Sequence, residues 1–213
     1  MSEKEDRQYR EMLAAAAKRM AQVDVPRQCA YAGVAYDSER NEITVESFGT
    51  VSVIKLPECT CDPPLHIWQH LSIFQYLEAA APAASQQSWG SLADLPEGGH
   101  VRGLSFDREV DRMVSARLGK HSAEVIAEAA GRLGGEMRKD PKADLSAVFH
   151  FMPNYPFAFN MWFADDEFPA SGKVLVDRSV CMFLNTEANG TLASLLVEML
   201  CDAADALENG EEL

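Results

Sequence analysis

Leu145-Ser-Ala-Val-Phe-His150-Phe-Met152, Pro153-Asn-Tyr-Pro156, Phe157-Ala-Phe-Asn160-Met-Trp162-Phe-Ala164, Asp165-Asp166-Glu167 and, after Phe168-Pro-Ala-Ser-Gly, Lys173-Val-Leu-Val-Asp177 decide how this chain folds. Three short runs, 147–152, 157–164 and 173–177, are aromatic or β-branched and are separated by turn-forming residues, which predicts consecutive strands. The first two are apolar on both alternating faces, so the strands are expected to be covered on both sides.

Upstream, a second β-rich group spans 30–36, 42–48 and 50–56, broken by Asp37-Ser-Glu-Arg-Asn41 and by Gly49. That spacing predicts an antiparallel meander. Helical periodicity fills the intervals. Tyr9, Leu13, Ala16 and Met20 predict an amphipathic helix over 6–22. Pro63-Pro64 launches a helix over 65–81, with Ile67, Leu71, Phe74 and Leu77 on one face and Pro82 at its end. Pro96-Glu97-Gly98-Gly99 reads as a turn. Helices over 107–118 and 122–133 are expected to stop at Gly119 and at Gly134-Gly135, where a left-handed backbone is needed. A last helix runs from Thr191, read as its N-cap, to about Leu207, and the acidic tail 208–213 is expected to fray. Strands in two groups with helices between and around them predict one α+β domain over 1–213, with a mainly antiparallel sheet and helices packed on it.

Composition limits the function. The 213 residues carry 33 acidic and 19 basic side chains, a net charge of −14. Such a surface repels phosphate backbones and anionic lipid, which argues against nucleic-acid and membrane partners. No run approaches the roughly 18 apolar residues that span a bilayer. Residues 1–10 are polar with no apolar segment behind them, so no secretion signal is expected. The five cysteines, 29, 59, 61, 181 and 201, are odd in number and scattered, which points to reduced thiols and a cytoplasmic setting. In that setting the glycosylation triplet Asn189-Gly-Thr191 carries no meaning.

Two constellations could carry chemistry. Asp165, Asp166 and Glu167 place three oxygen donors at a strand end, and Asp177 could approach from the next strand; hard divalent cations seek such oxygens. Neighbouring residues on a strand point opposite ways, so the loop must curl to use them together, and the alternative is a solvated hairpin turn. Cys59-Thr-Cys61-Asp-Pro-Pro-Leu-His66-Ile-Trp-Gln-His70 offers two sulfurs and two imidazoles one helical turn apart, a zinc-like set with a tight cysteine spacing. His150 lies in an apolar strand, with Asn160 and Trp162 in its neighbour. It is either a base in a pocket or a core histidine satisfied by one hydrogen bond. No nucleophile elbow and no phosphate-binding glycine loop is present.

The pieces Phe74-Gln-Tyr76-Leu77-Glu-Ala79, Trp89-Gly-Ser-Leu-Ala-Asp-Leu95-Pro96-Glu-Gly98, Arg132-Leu-Gly-Gly135, Met152-Pro-Asn-Tyr-Pro156 and Trp162-Phe-Ala-Asp165-Asp166-Glu167-Phe168-Pro-Ala170 with Val174-Leu-Val-Asp177 together resemble a bacterial and archaeal family (of the DUF-3786 type) classed as a domain of unknown function. The likeness runs from about residue 65 to 205. Some relatives carry an iron–sulfur domain ahead of this one, which implies a redox or corrinoid setting. These 213 residues contain no such cysteine-rich segment, so only a hint of that setting is expected to carry over. The acidic loop belongs to the family pattern; the Cys59/Cys61/His66/His70 set does not.

The expected function is therefore a small-ligand-binding or accessory domain. Its site would lie between the sheet and the helix at 65–81, rimmed by Asp165, Asp166, Glu167 and Asp177, with His150 and Trp162 nearby. The alternatives are an enzyme holding a divalent metal on those acids, and an acidic protein partner of a redox enzyme.

Overall fold

The computed structural model describes residues 3–96 and 99–210, so Glu97 and Gly98 of the expected turn and residues 211–213 of the expected tail lie outside the described residues. The helices are α1 (Glu3–Met20), α2 (Val25–Ala32), α3 (Ile67–Ala79), α4 (Leu104–Ala116), α5 (Ala123–Arg132) and α6 (Thr186–Asn209). The strands are β1 (Ala35–Asp37), β2 (Glu42–Ser47), β3 (Thr50–Lys55), β4 (Thr60–Asp62), β5 (Trp89–Ser91), β6 (Glu136–Met137), β7 (Leu145–Met152), β8 (Tyr155–Trp162) and β9 (Ser171–Asp177). They form two antiparallel sheets, β1-β2-β3-β4 and β5-β9-β8-β7-β6. The fold is α+β. Among the described residues no helix is long and apolar enough to cross a membrane.

The second sheet is built on the stretch quoted first. Pro153 and Asn154 turn β7 into β8, placing Phe149 opposite Phe157 and Ala147 opposite Phe159, with an irregularity between His150 and Met152. β9 continues the meander, pairing Phe159 with Val174 and Trp162 with Ser171. Every residue of β7 is buried except the half-buried His150. That agrees with a strand covered on both faces. The two sheets meet where the Phe48 amide donates to the His150 carbonyl at 2.8 Å. Around that joint Phe48, Tyr76, Phe151, Tyr155 and Phe157 are all essentially inaccessible, with ring centroids 5.2–6.4 Å apart in tilted and edge-on pairs. Such pairs contribute about 0.5–1.5 kcal/mol each beyond the area they bury.

The structure differs from the sequence reading in several places, and it adds the short strands β4, β5 and β6, which no apolar run predicted. Residues 30–36 are not a strand: α2 occupies 25–32 and only 35–37 are extended. Asp24 caps α2 by accepting from the Arg27 amide, Pro26 sits in its first turn, and Gly33 closes it at φ 75°, a left-handed conformation that glycine adopts without strain. The last helix starts at Thr186, not at Thr191; Asn185 is its N-cap, accepting from the Ala188 amide at 2.8 Å. Gly190 normally weakens a helix interior, but here it lets the Phe106 ring of α4 lie against the α6 backbone. Asn189 is fully buried and occupied: its amide donates to the Cys181, Leu184 and Asn185 carbonyls, and its oxygen accepts from Tyr155. Finally, Gly119 lies in a 3₁₀ turn, Leu118–Lys120, close against Ala170, whereas Gly134 does take the left-handed backbone, at φ 68°.

Candidate functional site

The acids expected to form one rim do not converge. Six steps along β9 at about 3.3 Å each place Asp177 about 20 Å from the Ser171 end, where the acidic loop enters. Asp177 instead pairs across to Trp89 at the far edge of the sheet. There it is buried and saturated, accepting from the Ser85 and Ser179 hydroxyls and from the Gln87 and Ser179 amides. Burial alone would raise its carboxyl, but those hydrogen bonds outweigh burial and hold it below the usual range. Asp177 is thus an anchor for the segment 85–88.

Asp165, Asp166 and Glu167 are exposed. The Asp165 carboxylate accepts from the Glu167 and Phe168 amides at 2.8 and 2.7 Å, bonds that also lower its pKa, while its own amide donates to the Phe168 carbonyl. This is a self-contained Asx turn, the solvated alternative weighed above. Trp162 precedes it, half-buried, with its indole N–H on the Lys142 carbonyl at 2.6 Å. His150 sits toward the other end of the β7–β8 pair, opposite Pro156, so it does not share a site with Trp162.

The Cys59/Cys61/His66/His70 set also fails to assemble; among the described residues no group of three or more His, Cys, Asp or Glu is placed to hold a metal ion. Local structure explains why. His66 is the N-cap of α3, its Nδ1 turned back to the Trp68 amide. His70, one turn later, is buried against Phe74, and its Nδ1 meets the Tyr9 hydroxyl at 2.7 Å. Burial pushes the His70 imidazole down to about 4, so it is neutral at pH 7 and its bond to Tyr9 is between two neutral groups. Cys59 is fully buried, and burial raises its thiol to about 11. Cys61 turns to the Pro63 carbonyl.

The concavity lies elsewhere, on the face of α3 turned away from the aromatic core. Trp68, Leu71, Ser72 and Gln75 recur at one-turn spacing and form a stripe along that face. α1 runs beside it, presenting Gln8, Met12, Ala15 and Arg19, also at helical spacing, and the start of α6 closes one end with Asn185, Glu187 and Ala188. Two hollows occupy the seam, about 320 and 470 Å³, and share Met12, Ala15, Trp68 and Leu71. These volumes are those of small-molecule pockets, roughly 300–1,000 Å³. Trp68 and Met12 are each 43% exposed, an unusual placement for two large apolar side chains facing one groove. The charged groups at the rim have partners: Arg19 Nε lies 2.8 Å from the Glu78 carboxylate, Arg102 holds Glu187, lowering its pKa, and Glu11 lies 3.8 Å from the exposed Arg7. Sequence reasoning missed this groove because its walls come from three segments far apart in the chain. The signal that could have found it is the apolar Trp68 and Leu71 on the face of α3 opposite its core-facing residues; the spacing puts Leu71 with Phe74 and Leu77, but it is half-buried and lines the groove while they are in the core.

No curated protein and no solved structure matches the chain. A family model described as Domain of unknown function (DUF3786) matches residues 24–199, taking in both sheets, α2 to α5 and most of α6. The chain belongs to that family.

Proposed function

We propose that the protein is a small-ligand-binding or accessory domain whose site is the groove between α1, α3 and the start of α6. The observation that carries this reading is the pair of joined hollows walled by the exposed faces of Trp68 and Met12. An indole face and a flexible thioether together suit a planar apolar body. The rim offers the neutral amides of Gln8 and Gln75, while Arg19 and Glu187 are neutralised by their partners. A neutral planar molecule with a hydrogen-bonding end fits that chemistry best.

The test is a protein-observed NMR screen with indole, benzamide and 2-naphthol. Binding in the groove shifts the Trp68 indole N–H together with Met12, Leu71 and Ala188, and Trp68→Ala removes those shifts. Perturbations confined to other regions, or unchanged by Trp68→Ala, would contradict the assignment.

A further inference from the structure

α1 lies ahead of the family match, which begins at residue 24, and reaches it through the short turn 21–24. It packs along α3. From Arg7 to Met20 only Ala16 and Met20 are buried, and Tyr9, Leu13 and Ala17 are half-buried. Among the described residues, polar contacts to α3 lie near each end: Tyr9 to His70 at 2.7 Å and Arg19 to Glu78 at 2.8 Å. Both partners are on α3. Between those contacts the seam holds the two hollows, and a third of about 170 Å³ lies at its base beside Met20 and Val23. A helix with few buried apolar contacts and unfilled space on its inner side belongs to the low-stability end of a structure, which opens without global unfolding.

From this we infer that α1 is a lid over the α3 groove: it swings as a unit on residues 21–24, is held shut by Tyr9–His70 and Arg19–Glu78, and closes on a ligand between Met12 and Trp68. The inference rests on the binding reading above and adds the element that controls entry. The latches act by different chemistry. Tyr9 shares one neutral hydrogen bond with a buried imidazole, and Arg19 makes a partly exposed charge pair that salt weakens.

Hydrogen exchange and binding of the neutral dye Nile red test it on the full chain. The lid predicts that amides over 9–20 exchange at one common rate, at least ten-fold faster than the buried amides of α3 and α6. In Tyr9→Phe and in Arg19→Gln that rate rises at least five-fold further, while α3 and α6 keep their protection, which shows that the variants are folded. Nile red association accelerates in the same variants. A graded profile rising only toward the N-terminus is fraying and overturns the lid, as does a rate in α1 equal to that in α3. So does dye association unaffected by both latch variants. Dye fluorescence insensitive to Trp68→Ala overturns instead the groove reading on which the lid depends.

Discussion

His70 gives the sharpest quantitative prediction. Its imidazole is 2% exposed, packed on Phe74 and bonded to Tyr9, and burial lowers its folded pKa from 6.5 to about 4. The perturbation is acidification, isolated by comparing the wild-type chain with His70→Asn, whose amide oxygen can still accept from Tyr9 but does not titrate. At pH 7 the imidazole is neutral in both folded and unfolded chains and linkage is negligible. As pH falls through 6.5 the unfolded chain takes up a proton that the folded chain refuses until about pH 4, so folding stability is lost across that window and then levels off. Between pH 7 and 4.5 the loss specific to His70 is about 2.5 kcal/mol, or about 5–10 °C in Tm for a chain of this size. Urea unfolding of both proteins at pH 7, 5.5 and 4.5 measures it. Whatever Asn costs in packing is the same at each pH, so the wild-type advantage should shrink by about 2.5 kcal/mol on acidification. A difference that stays constant would show that His70 takes up its proton as readily folded as unfolded, and would refute the burial argument.

Three further outcomes follow from the packing. Gly190→Ala drives a Cβ into the Phe106 ring and should destabilise by about 1–3 kcal/mol in chemical denaturation, with Phe106→Leu recovering part of the loss. Asp177→Ala strips the acceptor from the Gln87 and Ser179 amides and from two hydroxyls; a loss of about 3 kcal/mol and increased exchange over 85–88 are expected. Asp165→Ala should unfasten its turn, seen as lost protection at the Phe168 amide, while leaving calorimetric titration with calcium or magnesium unchanged from wild type.

The fold class and the β7–β8–β9 meander were legible because aromatic runs separated by Pro-Asn-Tyr-Pro and by an acidic turn have few alternatives to antiparallel pairing. α2 was readable in principle, since Asp24, Pro26 and Gly33 are cap, first-turn and stop residues, but the unbroken apolar run around Tyr31 and Val34 mimics a strand. The true start of α6 was hidden by Gly190, a helix breaker by propensity that tertiary packing on Phe106 makes acceptable. The four-acid rim failed on strand arithmetic: a residue at each end of a seven-residue strand cannot share one ion. His66 and His70 have the one-turn spacing of a ligand pair, yet one caps α3 and the other faces its interior, a distinction set by the residues that pack on each. The groove depends on how α1 is laid against α3, which no local pattern encodes.

What binds between α1 and α3 decides whether the groove is a ligand site. Crystals soaked with indole, benzamide and 2-naphthol measure this without assuming an activity. Electron density is expected for a planar ring against Trp68 and Met12, with its polar end toward Gln8 or Gln75, and that density should be lost in Trp68→Ala. Well-occupied ligand elsewhere, with the α1–α3 seam empty at every concentration, would contradict that assignment.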